Sequence, residues 1–317
     1  MKLSTSTGDF SQYVPTITEK VRHFKGSKFK YINLEQTGKP ATLEFFFCEN
    51  DEDWRRTADE WAEAADYAGI TYVVSHAPCL DAFDTLTEEN YAVTVRAIRR
   101  SIEICHLLGI KRTVVHASSN VGFTAAEYYK YNKKFYSEFF DLMEKYDITV
   151  MTENMPDGIY TPLSTGKEIR EFIEYVDHPL LAACWDTAHG NLNEKVKKEG
   201  QYQSIIDIGD RLKGLHISDN FGDGAHHHTW PFAGTINFDS VMQGLIDVNY
   251  DGFFNFEASY TLLHQKNLPY KRQPWEHNGE TVTKLLNPSV ELKKKAVDLL
   301  YETGKYILET YDCFEEN

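Results

Sequence analysis

Short apolar runs alternate along the chain with longer segments in which apolar residues recur every three or four positions. The short runs, at 3–7, 29–34, 70–75, 112–115, 149–152, 179–184, 214–217 and 252–256, have the length and β-branched content of buried strands. The longer segments predict helices at 9–25, 54–68, 87–108, 124–146, 166–176, 201–212, 237–248 and 290–311. Boundary signals support several of these. An acidic stretch, 51–53, precedes the second helix and Gly69 follows it, the third closes at Gly109, and Thr124 with Glu127 forms a capping-box pattern at the start of the fourth. Residues 37–47 fit neither period, and 259–288 read as irregular.

Strand and helix therefore alternate some eight times, with no composition break to mark a linker. Such alternation predicts an α/β fold with a parallel sheet, and the 317-residue length fits a (β/α)8 TIM barrel occupying 1–317 as a single domain. A doubly wound sheet that binds nucleotides needs a glycine-rich turn after its first strand. Only Gly8 and then Gly26 stand there, which disfavours it.

A net charge of -15 opposes nonspecific nucleic-acid binding, so nucleic acid is not the expected partner. Its densest basic run, Lys293-Lys294-Lys295, reads as the solvated face of a helix. The five cysteines are scattered and odd in number, which argues against a disulfide framework. With no apolar leader near Met1 and no run long enough to span a bilayer, the expectation is a cytoplasmic protein without a membrane partner. Oligomeric state is not legible, and a homo-oligomer is compatible with everything above.

The chemistry collects at the ends of the predicted strands. In a barrel these ends form one face, where active sites are built. They offer His76, His116, Glu153, Asp186 with His189, His216 and Glu257, and the loop after the seventh strand adds His226, His227 and His228. Carboxylates and imidazoles are disfavoured beside buried strands unless something pairs with them. A divalent cation would pair with the whole row. Plainer readings exist for single members: Asp186 as a helix cap, His76 and His116 as core histidines bonded to carbonyls, His227 turned away into a solvated loop.

Glu153, the Trp185-Asp186-Thr187-Ala188-His189 segment, His216 with Ser218-Asp219-Asn220, and Glu257 together resemble the xylose-isomerase-like TIM-barrel superfamily. Its members include ketose 3-epimerases, sugar isomerases, dehydratases and abasic-site endonucleases. The resemblance implies a principal metal held by Glu153, Asp186, His216 and Glu257, with Mn2+ or Zn2+ foremost and Mg2+ or Co2+ also admitted. It implies that Glu153 and Glu257 share proton transfer on a sugar or sugar-phosphate substrate through a metal-stabilised enediolate, while His189 bonds a substrate hydroxyl. His76, His116, His226 and His228 fall where additional metal or substrate ligands would lie. His226 stands where the endonucleases carry Asp, and Asp223 is a substitute if the loop is shifted. The implied activity is a divalent-metal-dependent isomerase or epimerase. The alternatives are a dehydratase or lyase on a sugar-like keto substrate and a multi-zinc abasic-site phosphodiesterase. Trp185, Trp230 and Trp275 are candidate flat faces for a sugar.

Overall fold

The computed structural model describes residues 1–36, 51–78, 87–118, 123–156, 162–260, 262 and 273–316, with the side chains of 51–53 excepted. Eight strands form one parallel sheet: β1 Leu3–Ser6, β2 Tyr31–Glu35, β3 Thr71–His76, β4 Arg112–Val114, β5 Thr149–Glu153, β6 Leu181–Asp186, β7 Leu212–His216 and β8 Phe254–Asn255. Each of β1–β7 pairs with its sequence neighbour, and β8 pairs with β1. A parallel bridge from Ile217 to Phe256 joins the other edge, with Ile217 N donating to Asn255 O at 2.8 Å and Glu257 N to Ile217 O at 3.0 Å. The sheet is thus a (β/α)8 barrel, as the alternation predicts.

Strand periodicity divides the buried residues into two sets. Leu3, Ile32, Leu34, Val150, Leu215, Phe254 and Phe256 belong to the large core between sheet and helices. Val74, Val114, Met151, Ala182 and Cys184 form a separate cluster inside the barrel. Gly214 belongs to this interior layer. A Cβ there would lie 2.6 Å from Met151 Sδ, so a side chain at that position would displace Met151. The layer above it carries the strand-end groups of the site.

The structure departs from the predicted elements where local caps override periodicity. The helix expected over 9–25 is a 3-10 turn at Thr7–Phe10 followed by a short helix at Ile17–Arg22. Pro15 interrupts the pattern, and Thr16 with Glu19 forms a capping box that starts the second piece. The segment 124–146 is two helices, Ala125–Ser137 and Phe140–Tyr146, with Phe139 fully buried at the break. The helix expected over 201–212 ends at Ile208, where Gly209 takes a φ of 57°, and β7 begins at Leu212. Within the stretch read as irregular, Trp275–His277 and Glu280–Val282 form a hairpin. Asn278 and Gly279 turn it at positive φ, the preference of a two-residue hairpin turn.

Lys293 is also not solvated. It is buried and its Nζ lies 3.4 Å from Asp9 Oδ1 and donates to Ser259 O at 3.0 Å. Cys105, Cys184 and Cys313 are free thiols, and residues 37–47, Cys48, Cys79 and His264 lie outside the described residues. Among the described residues no helix is long and apolar enough to cross a membrane.

Candidate metal centre at the barrel mouth

The barrel brings all the expected site residues to one mouth. His76, Glu153, Asp186 and His216 are the last residues of β3, β5, β6 and β7, while His116 and Glu257 follow β4 and β8 closely. They fall into three sets, within each of which the ligand atoms lie within 4.8 Å of one another. The central set is Glu153, Asp186, His216 and Glu257. A second is His76, His116 and Glu153, and a third is His189, His226 and His228.

Glu153 joins the first two sets. Its Oε1 lies 2.9 Å from His216 Nδ1 and 3.4 Å from His189 Nδ1. Its Oε2 lies 2.9 Å from His116 Nε2 and 3.6 Å from His76 Nε2. Burial alone would raise this carboxyl, but His216, His116 and His76 outweigh it and hold the group well below the usual carboxylate range. Glu257 Oε2 lies 2.9 Å from the same His216 nitrogen and 3.8 Å from His228 Nδ1. No hydrogen bond reaches Glu257 Oε1 among the described residues, and the side chain keeps 22% of its surface exposed.

Asp186 does two things at once. Its Oδ1 caps the short helix Thr187–Asn191 by accepting from His189 N at 2.7 Å, so the helix-cap reading holds. Its Oδ2 is buried with no hydrogen-bond partner and lies 3.8 Å from His228 Nδ1. Burial, with the Glu153 and Glu257 charges added and His228 opposing, pushes this carboxyl up to about 7. An orphaned, fully buried carboxylate oxygen facing other ligand atoms costs several kcal/mol unless something positive meets it. That oxygen is the test of fit for a cation, and the central set passes it.

Two of the histidines, His76 and His189, are oriented as ligands usually are, with one nitrogen held by a backbone carbonyl and the other turned inward. His76 Nδ1 donates to Ala77 O at 2.8 Å, and its Nε2 faces His116 Nε2 at 3.1 Å. His189 Nδ1 donates to Asn154 O at 2.7 Å, and its buried Nε2 has no partner. His226 Nε2 and His228 Nε2 face each other at 2.8 Å. Burial, then His228 and His189, push the His226 imidazole down to about 2, so it is neutral. His226 itself fills the place for which Asp223 was the substitute; Asp223 Oδ1 accepts from Ala225 N at 3.1 Å.

Other residues hold this arrangement without carrying an obvious motif. Asn154 clamps Asp186, with Nδ2 donating to its carbonyl at 2.9 Å and Oδ1 accepting from its N–H at 2.6 Å. Asp219 accepts from the backbone N–H groups of Asn220, Phe232, Gly234 and Ile236, tying down the histidine loop. Sequence reasoning placed Asp219 in a motif but assigned Asn154 no role. The only hint for Asn154 was its place after a strand-end carboxylate. His227 turns away from its neighbours as expected, but it is buried edge-on to Phe221 and not solvated. Trp185 is fully buried behind β6, donating to Gln201 Oε1, so it offers no face to a ligand. Trp275 is exposed on the hairpin, stacked on His277.

The family model of the xylose isomerase-like TIM barrel matches residues 27–278. The chain belongs to that family. Among relatives in it, the chain is 29% identical over 196 residues to an uncharacterized protein of Methanocaldococcus jannaschii, a match covering 58% of this chain and 64% of that one. It is 28% identical over 96 residues to a ketose 3-epimerase of Arthrobacter globiformis, 30% of either chain. It is 27% identical over 143 residues to a probable endonuclease 4 of Thermotoga petrophila, 42% of this chain and 48% of that one. These matches thus span less than two thirds of each relative. A solved D-tagatose 3-epimerase-like protein shares the fold along the whole barrel, with a TM-score of 0.70, 19% identity and 98% of each chain covered.

Proposed function

We propose that the protein is a divalent-metal-dependent isomerase or epimerase acting on a small sugar or sugar phosphate. The observation that carries this is the convergence of Glu153, Asp186, His216 and Glu257, with Asp186 Oδ2 orphaned among them. Mixed oxygen and nitrogen donors suit Mn2+ or Zn2+. A bound divalent ion supplies Lewis-acid polarisation of a carbonyl and its neighbouring hydroxyl. Glu257 is the first proton acceptor: no hydrogen bond reaches its Oε1 among the described residues, and its side chain keeps 22% of its surface exposed. Glu153, equally close to His216 Nδ1, is the second carboxylate, relaying a proton taken up from solvent to the opposite face or the adjacent carbon while Glu257 returns its own to solvent. With Nδ1–H committed to Asn154 O, His189 presents the Nε2 lone pair and orients a substrate hydroxyl as its acceptor. The similarity to a ketose 3-epimerase and to a D-tagatose 3-epimerase-like fold supports the same class.

The test is elemental analysis of the purified protein combined with deuterium uptake from solvent into the carbon-bound proton of a panel of ketoses. Exchange with isomer formation is expected. Metal-loaded protein that exchanges no ketose proton sinks the reading, and loss of a β-leaving group would move it to a lyase.

A second reading has its own observation. Together with the central set, the two further sets, one of them sharing Glu153, offer donors for three ions, which suits phosphodiester hydrolysis at abasic DNA. The similarity to a probable endonuclease supports it, and the net charge of -15 opposes it. Three ions per chain together with nicking of an abasic duplex would replace the sugar reading.

A further inference from the structure

Every strand from β3 to β8 sends a member of the three sets to the mouth. The strand β2 ends in a carboxylate too, Glu35, which belongs to none of them. Glu35 pairs in register with His76 across β2 and β3. In a parallel ladder, paired residues project from the same face of the sheet. Glu35 therefore points into the mouth beside His76. It is 9% exposed.

Its pose is fixed by the end of β1. Ser6 Oγ donates to Glu35 Oε1 and itself accepts from Gly8 N at 2.8 Å, and Glu35 N donates to Thr7 Oγ1 at 3.0 Å. The carboxyl lies directly over Gly8, where an added Cβ would sit 2.4 Å from Oε2 and 2.6 Å from Oε1. Only a residue without a Cβ tolerates that approach. One hydroxyl is a meagre complement for a buried carboxyl, which has about four lone-pair sites. Its Oε2 has no hydrogen-bond partner among the described residues.

We propose that Glu35 is a substrate-binding residue whose free oxygen grips a hydroxyl of the bound polyol, on the wall of the mouth between His76 and the end of β1. The assignment rests on the sugar reading above. It makes Glu35 a determinant of which hydroxyl pattern is accepted, separate from the proton-transfer carboxylates.

The experiment uses full-length protein loaded with Mn2+ and a panel of ketoses, with solvent-deuterium uptake giving KM and kcat. Metal content and melting temperature are read on each variant. Glu35→Met should raise KM for the accepted ketose by about 10- to 100-fold, the scale of a lost hydrogen bond to a charged group, with kcat changed by less than about threefold. Glu35→Gln, which keeps a hydrogen-bonding head, should raise it less. Gly8→Ala retains the carboxyl but displaces it, and should also raise KM; it carries the test if Glu35→Met does not fold. Metal content should stay at the wild-type value throughout. An unchanged KM in Glu35→Met and Gly8→Ala overturns the proposal while leaving the sugar reading standing, as does loss of metal from Glu35→Met, which would make Glu35 a ligand. Wild-type protein inert toward every ketose, in turnover and in binding, overturns the sugar reading and this assignment with it.

Discussion

The two walls of the barrel interior solve the problem of buried polarity differently. Under β3–β6 the interior is apolar, lined by Val74, Val114, Met151, Ala182 and Cys184. The carboxylates and imidazoles above it have few protein partners except one another, and Asp186 Oδ2 has none. On the β8–β1 wall the interior is polar and internally bonded: Ser4 Oγ donates to Asn255 Oδ1 at 2.8 Å, and Asn255 Nδ2 donates to Leu215 O at 3.2 Å. In that layer, below Glu257, the Ser4–Asn255 pair leaves nothing that calls for a cation. The contrast teaches that density of titratable groups is not the signature of a metal centre. The signature is titratable groups stacked on an apolar floor with ligand atoms left unmatched.

Substitutions of the groups at the mouth should have the largest consequences. Glu257→Gln keeps the shape and removes the freest carboxylate. Proton exchange into a ketose should fall by about 10²–10⁴-fold, the range for loss of a positioned base. A variant that retains full exchange would assign the base elsewhere. Next comes Asn154→Ala, which frees Asp186 from its side-chain clamp while the backbone carbonyl that holds His189 stays in place. Metal affinity, read by competition with a chromophoric chelator, should drop roughly 10- to 100-fold, as for other residues that orient ligands. An unchanged affinity would mean that the strand ends alone position the site.

Metal affinity should also depend on pH with a definite sign. The Asp186 carboxyl, raised to about 7 chiefly by burial, is mostly protonated at pH 6 in metal-free protein, and a cation must displace that proton. Affinity should therefore rise with pH up to about 7, by up to roughly tenfold per unit for each proton displaced, and the dependence from this group should flatten above. The same raised pKa means that, through this group alone, metal-free protein loses stability as pH climbs from about 4, where the unfolded carboxyl ionises, to about 7. A pH-independent chelator competition between 5.5 and 7 would place the orphan oxygen elsewhere than on a ligand.

How much of this was legible in the sequence follows the same divide. Groups that are costly to bury announce themselves at strand ends, so Glu153, Asp186, His216 and Glu257 could be read before any coordinates, as could His76, His116, His189, His226 and His228. The barrel was legible because eight strand–helix alternations leave few parallel topologies. Asn154 was not, because a clamp made through backbone atoms has no sequence signature. Glu35 directly follows the apolar run at 29–34, but its place in the mouth beside His76 depends on strand register, which periodicity does not supply. The split helices and the hairpin were missed because Thr16 with Glu19, and Asn278 with Gly279, are short signals that outweigh a longer pattern.

The smallest effect sharpens the comparison from the other side. Ser4 and Asn255 are register partners, both buried, and Ser4→Ala would strand Asn255 Oδ1 in a dry layer. The expected cost is about 1–3 kcal/mol of stability, the scale for a buried acceptor left unpaired. Metal content should not change, because no ligand touches this pair. If the polar wall is only a closed hydrogen-bond network, Ser4→Ala lowers the melting temperature and leaves exchange kinetics at saturating ketose alone. If it also loses metal, the two walls are coupled and the division between them fails. Denaturant melts with elemental analysis of the same samples decide the matter, since one readout reports the floor and the other the mouth.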